Sequence, residues 1–163
     1  MNLITPDKLD QLYRDLTAPF NPEAVQRADT KATKGYDMTG IGYQYIVNRL
    51  NEVLGLSHWH YQIDDVRVVE SPVGDVKSYE VAVTLVLWVG NWVEGRFEPV
   101  AKRGPMPGSS RSTSLGDAYK GAVTNALKKC AALLGVGKEA YEGTLDDDYK
   151  AAERDLPIVR TRP

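Results

Sequence analysis

Apolar positions near the start of the chain recur with a helical period. Leu9, Leu12 and Leu16 form a short stripe behind Thr5-Pro6, a threonine suited to capping the free N–H groups and a proline suited to the first turn. "APFNPEAVQRADT" then predicts an extended segment, a strand bearing Arg27, and the polar, glycine-bearing residues 31–42 predict a loop. In "GYQYIVNRLNEVLG" the residues Tyr45, Ile46, Leu50, Val53 and Leu54 return at helical spacing, and Gly55 stands where a helix would end.

At Trp59 the period changes to two. Trp59, Tyr61 and Ile63 alternate, and Val66 and Val68 resume the alternation after a slip at Asp64-Asp65, which predicts a bulge. "SPVGD" predicts a turn. "KSYEVAVTLVLWV" is the strongest strand: Tyr79, Val81, Val83, Leu85 and Leu87 share one face, while Ala82, Val86 and Trp88 make the other partly apolar, so that it too needs cover. Gly90-Asn91 predicts a tight hairpin, "WVEGRFEPV" the returning strand, and Pro99 its end or a place at a sheet edge.

Residues 101–114 predict a loop and 115–134 a long helix closed by "GVG". Leu115, Ala118, Tyr119, Ala122 and Ala126 fall on its apolar side, with Lys120, Gly121, Asn125, Lys128 and Ala132 opposite. Beyond Lys138 no apolar stripe is sustained; a short helix near Tyr149 is expected, followed by a mobile end. The pattern therefore predicts an α+β fold. Three antiparallel strands are packed by a long helix, in a β-β-β-α core with an additional N-terminal helix and strand, as one domain over residues 1–149 with a tail at 150–163.

Composition agrees with a single domain, since 163 residues at 42% hydrophobic content bury a proper core. One cysteine excludes an intramolecular disulfide, and the sequence shows neither a secretory leader nor an apolar run of the roughly 18 residues that would span a membrane. The expected setting is cytoplasmic, beside the nucleoid or in a host cell if the chain is phage-encoded. Net charge is −2, but it is unevenly spread: between Pro99 and Gly135 six cations face a single aspartate. A basic patch thus sits on an acidic body.

That patch, "VAKRGPMPGSSRSTSLGDAYKGAVTNALKK", asks for phosphate. It lacks the G-x-x-x-x-G-K-[ST] spacing of a nucleotide cradle, and its prolines remove N–H donors that such a cradle needs. A polymer demands less precision, because phosphates recurring along a strand can be tracked by spaced cations with small residues between them. Lys102, Arg103, Arg111, Lys120, Lys128 and Lys129 are the candidates, with a merely solvated helix face as the plain alternative. Lys34 and Tyr36 add a weaker pair, the ring for base stacking. His58 and His60 would make half a metal site without further partners, and Asp146 to Asp148 would suit a metal-dependent nuclease or a solvated helix start. No catalytic residue and no cofactor is predicted.

"DAYKGAVTNALKKCAALLGVG" resembles the core helix of the Rad52-type single-strand annealing proteins, which include phage annealing proteins and DdrA-like damage-response proteins. "NRLNEVLGLSHWHYQI" and "PEAVQRADT" match in the same order, so the resemblance covers residues 19–149. It implies a helix and a three-stranded sheet with a long helix across it, assembled as a ring or open helical oligomer. It also implies single-stranded DNA held in a basic groove and complementary strands annealed without ATP, in recombination and repair. Lys128 and Lys129 match the family's paired cations and Arg27 an arginine on the early strand, while Lys120 and Arg111 fall at or beside further basic positions. Ala132 replaces an arginine of eukaryotic relatives, and Asp147 or Asp148 stands near a lysine tied to a second, outer DNA site. The chain is expected to lack the eukaryotic tail that recruits partners, although a single-strand binding protein or a recombinase would suit it as a partner. Binding and protecting DNA ends without annealing is the alternative activity.

Overall fold

The computed structural model describes residues 3–27 and 39–142. Helix α1, Pro6–Leu16, begins as its sequence predicts, with the Thr5 hydroxyl accepting the Lys8 N–H at 3.1 Å. Leu9 and Leu16 are buried. Its C-terminal end is held by Arg49 of helix α2, Tyr43–Leu54: one guanidinium nitrogen donates to the carbonyls of Leu16 at 3.2 Å and Ala18 at 2.6 Å, while the group lies 4.1 Å from the centre of the Phe20 ring. Ile46, Leu50 and Leu54 supply the buried stripe of α2, and Gly55 ends it at φ 97°.

Between these helices run two short antiparallel strands, β1 (Val25–Arg27) and β2 (Thr39–Ile41), paired from Val25 opposite Ile41 to Arg27 opposite Thr39. The expected strand bearing Arg27 is present. The loop expected over residues 31–42 instead closes in β2, because Ile41 is buried and its backbone groups must be satisfied where water cannot reach.

The main sheet has the order β3-β4-β5, all antiparallel, with β3 at Trp59–Val73, β4 at Val76–Val93 and β5 at Arg96–Ser112. The slip at Asp64-Asp65 is a register shift between Ile63 and Asp65. Ser71, Pro72 and Val73 stay in the strand, so only Gly74-Asp75 turns. The second hairpin does not lie at Gly90-Asn91. β4 continues through both residues, and the turn is Glu94-Gly95, with positive φ at each (51° and 76°), as a two-residue hairpin of primed type requires.

Gly90 and Asn91 have other work. A Cβ at position 90 would collide with the backbone carbonyl of Glu98, so this glycine permits the close strand crossing opposite Pro99. Asn91 is buried, and its side-chain amide accepts the Ile4 N–H and donates to the Ile4 carbonyl, both at 2.7 Å. It ties the N-terminal segment down as a neighbouring strand would.

Pro99 does not end β5, and most of the loop expected at 101–114 is strand. Among the described residues β5 pairs with β4 alone, and an edge strand keeps alternate N–H groups outside the ladder, so Pro99, Pro105 and Pro107 are tolerated there. Helix α3, Leu115–Ala132, then crosses β4 and β5. Ser114 caps it by accepting the Asp117 N–H at 3.3 Å. It stops two residues before the predicted end, and Leu134 and Val136 in the turns beyond it complete the core.

The buried face of α3 is narrower and smaller than the helical wheel implies: Ala118, Ala122, Ala126, Leu127, Cys130 and Ala131. Small residues are needed because β5 comes very close. A Cβ at Gly108 would collide with the backbone of Ala122 and Ala126. The Cys130 thiol donates to the Leu85 carbonyl at 3.3 Å, and burial pushes its pKa up to about 11, so it behaves as an inert core group. A four-residue helix α4, Glu139–Glu142, follows; the expected helix near Tyr149 and the tail at 150–163 lie outside the described residues.

Candidate nucleic-acid interface

Because residues 101–112 form a strand, successive cations point to opposite faces of the sheet. Lys102 stands opposite Trp88 with its ammonium 5.3 Å from the centre of that ring, on the face away from α3. Arg103 stands opposite buried Leu87, on the helix side, where it donates to the Lys102 carbonyl at 2.9 Å and lines a cleft with Leu9, Tyr13 and Leu133. Arg111 shares the face of Lys102 and pairs with Glu80 at 2.7 Å. This pair is solvent-exposed, so it ties up little of the arginine's charge energetically.

The remaining cations are carried by α3. Lys120 is exposed, whereas Lys128 and Lys129 are half-buried. Burial pushes the Lys128 pKa below that of a free lysine, because the charged ammonium has lost part of its hydration. Gly121, expected on the open side, is instead turned to β5, where a Cβ would strike the Ser110 side chain, whereas Asn125 is exposed as expected and donates to the Ser109 carbonyl at 2.9 Å. Gly121 therefore serves helix-strand packing and gives no approach for a backbone.

Thus α3 carries Lys120, Lys128 and Lys129, with Lys120 and Lys129 about half a turn apart around the helix axis, while Arg103 lies on the same side of the sheet as α3 and Lys102 and Arg111 on the other. Arg27 closes β1 opposite Thr39. Lys34, Tyr36 and Asp146 to Asp148 lie outside the described residues. His58 and His60 do not act as a pair. The His58 ring lies 2.9 Å from the Gly90 carbonyl, and His60 packs edge-on against Phe97 with ring centres 4.4 Å apart. Among the described residues no group of three or more His, Cys, Asp or Glu is placed to hold a metal ion.

One surface element carried only a faint signal in the sequence. Trp92 is 52% exposed on the open face of the sheet and T-shaped against Phe97. Its exposure depends on β4 passing straight through Gly90-Asn91, which no local pattern announces.

A profile of the Rad52/22 family of double-strand break repair proteins matches residues 8–155, most of the chain, and includes most of α1, both sheets and α3. The chain belongs to the Rad52/22 family. Comparison with curated proteins finds no match. Membership makes this a DNA-binding protein of recombination and repair, of the strand-annealing kind. The sheet and helix described above are the Rad52/22 chain's β-β-β-α core, and α3 with its lysines contains the stretch "DAYKGAVTNALKK" that carries the resemblance to the family. No helix among the described residues is long and apolar enough to cross a membrane.

Proposed function

We propose that this protein binds single-stranded DNA along α3 and anneals complementary strands without ATP, as a homo-oligomer. The observation that carries the reading is the family match over residues 8–155, and Lys120, Lys128 and Lys129, all carried by α3, supply cations for it. The ammonium groups neutralise phosphates on one strand. Arg27, Lys102, Arg103 and Arg111, with Lys34 and Tyr36 as lesser contributors, extend the positive field around it.

Gripping the sugar-phosphate backbone leaves base edges free. A second strand meets less repulsion at a neutralised backbone, and base pairing itself reads the sequence. No side chain needs to form a covalent bond or transfer a proton. Several protomers in a row raise the effective concentration of each successive contact, so a few cations per copy suffice. A single-strand binding protein or a recombinase suits it as a partner that delivers or receives the strand.

The test is an annealing assay with two complementary oligonucleotides, without nucleotide, across a salt series. The native chain is expected to speed pairing at low salt, and the effect fades as salt rises. Tight binding with no acceleration would point to end protection. Magnesium-dependent cleavage that the Asp147→Ala change abolishes would point to a nuclease.

The depressed pKa of Lys128 adds a pH dependence. Its charge is lost at lower pH than that of a free lysine, so affinity for an oligo-dT strand is expected to fall as pH rises through this lowered pKa. Lys128→Arg, whose guanidinium keeps its charge, is expected to flatten that decline in a fluorescence-anisotropy titration. For folding the sign is opposite: the unfolded chain holds its proton longer, so the penalty of burying this charge is present at neutral pH and is relieved as pH rises through the lowered pKa.

A further inference from the structure

Helix α1 and the end of α3 leave a cleft of about 240 Å³ between them. Leu9, Leu16 and Leu134 line it as buried groups, whereas Tyr13 and Leu133 are 52% and 49% exposed there. Asp10 of α1 and Arg103 of β5 bring opposite charges to the same cleft, and neither forms an ion pair among the described residues. The space is below the roughly 300 Å³ at which small-molecule sites begin. It suits a few apolar side chains flanked by charge.

The chain itself contains such a segment. Residues 143–163 follow the described part, and they hold one run of four apolar residues, Leu156-Pro157-Ile158-Val159, with Asp155 before it and Arg160 after it. Pro157 disfavours helix at Leu156, and in an extended run the alternate residues Leu156 and Ile158 share a side. The segment also starts from the right end of the molecule. The turn after α3 packs on α1, where a Cβ at Gly135 would strike the side chains of Thr17 and Tyr13, and from that turn Lys138 pairs with Glu142, the last described residue, at 3.2 Å. Residues 143–155 span up to about 45 Å when extended, so reach does not limit the contact. A tethered segment meets a site on its own chain at an effective concentration on the order of millimolar. A shallow cleft then suffices to hold it.

We infer that residues 155–160 of this chain seat in the cleft between α1 and the end of α3. Leu156 and Ile158 cover Tyr13 and Leu133, Asp155 faces Arg103, and Arg160 faces Asp10. While seated, the segment engages Arg103 within the chain and removes it from the cations open to a phosphate. Seating is read without nucleic acid, so it stands or falls separately from strand binding.

Cysteine pairing in the full chain tests it, with far-UV circular dichroism to confirm folding and a non-reducing gel with peptide mass mapping as the readout. The native Cys130 is buried and does not compete. Under mild oxidant, Leu133→Cys with Val159→Cys is expected to form a disulfide within one chain at least tenfold faster than Ser109→Cys with Val159→Cys. Ser109 is the control because it is exposed on the face of the sheet away from α3. Adding Leu156→Asp and Ile158→Asp to the first pair should bring it down to the control rate. Arg103→Glu should slow the first pair several-fold, and Asp155→Arg in the same chain should restore it. A first pair that closes no faster than the control, or just as fast with the two aspartates, would overturn the inference. So would disulfides that link two chains, which would assign the cleft to a second copy. Failure of Asp155→Arg to restore the rate would overturn the pairing of Asp155 with Arg103.

Discussion

Replacing Lys128 and Lys129 together by glutamate is expected to lower affinity for a single-stranded oligonucleotide about a hundredfold or more near 0.1 M salt, with the fold unchanged. Each phosphate contact to a single strand contributes roughly 0.7 to the slope of log affinity against log salt. Loss of two contacts should flatten that slope by about 1.4, and the two new carboxylates add repulsion to the loss. Both positions are half-buried on α3, and neither forms an ion pair among the described residues, so neither reversal breaks a salt bridge there. Anisotropy titrations at several salt concentrations give affinity and slope at once. An unchanged slope would mean that phosphates do not meet this part of α3, and the proposed interface would have to move to the Lys102 and Arg111 face of the sheet.

Gly108→Ala is expected to destabilise the protein by about 3 kcal/mol or more, an unusually large cost for adding one methyl group. The new carbon would meet the backbone of Ala122 and Ala126, which cannot swing aside as a side chain can. Only lifting α3 from β5 makes room, and that separates the small-residue seam of Ala118, Ala122 and Ala126 from the strand. Gly116→Ala is the control. It lies in the first turn of the same helix, where the added carbon meets nothing nearer than the Ser114 hydroxyl at 3.9 Å, and it should stabilise by up to about 0.5–1 kcal/mol through helix propensity and a less flexible unfolded chain. Urea denaturation of both variants decides the matter. Equal effects would show that the approach of helix to strand is looser than described.

This seam links stability to function. The helix that carries Lys120, Lys128 and Lys129 is held by contacts in which Gly108, Gly121 and the alanines matter through how little space they fill. Residues that look like open surface on a helical wheel, Gly121 and Asn125 among them, are part of the attachment. If α3 holds DNA as proposed, a substitution there would weaken binding without touching DNA.

Legibility followed the range of the interaction. Thr5-Pro6, the stripe of α2 and the slip at Asp64-Asp65 were readable because capping, helical periodicity and strand alternation involve near neighbours. The course of β5 was not. "GPMPGSS" has the composition of a loop, and it becomes a strand because β4 supplies partners on one side and, among the described residues, no strand asks for N–H groups on the other. Gly90-Asn91 was misread for a related reason: a glycine that serves close strand approach looks the same as one that serves a turn.

For the candidate site, the local surplus of cations was plain from the sequence, and so was the resemblance carried by the long helix. How the cations divide was not, since Lys102 and Arg103 separate only once their segment is extended, and Lys128 is desolvated only once α3 is packed.

By itself, then, the amino-acid sequence determined the helices, the apolar faces of the strands and the store of positive charge, all set by residues a few positions apart. Tertiary structure alone decided where the second hairpin turns, that β5 runs through its prolines, and which cations share a face. Those outcomes depend on which backbone groups and surfaces a distant segment leaves unsatisfied, and no local pattern encodes that.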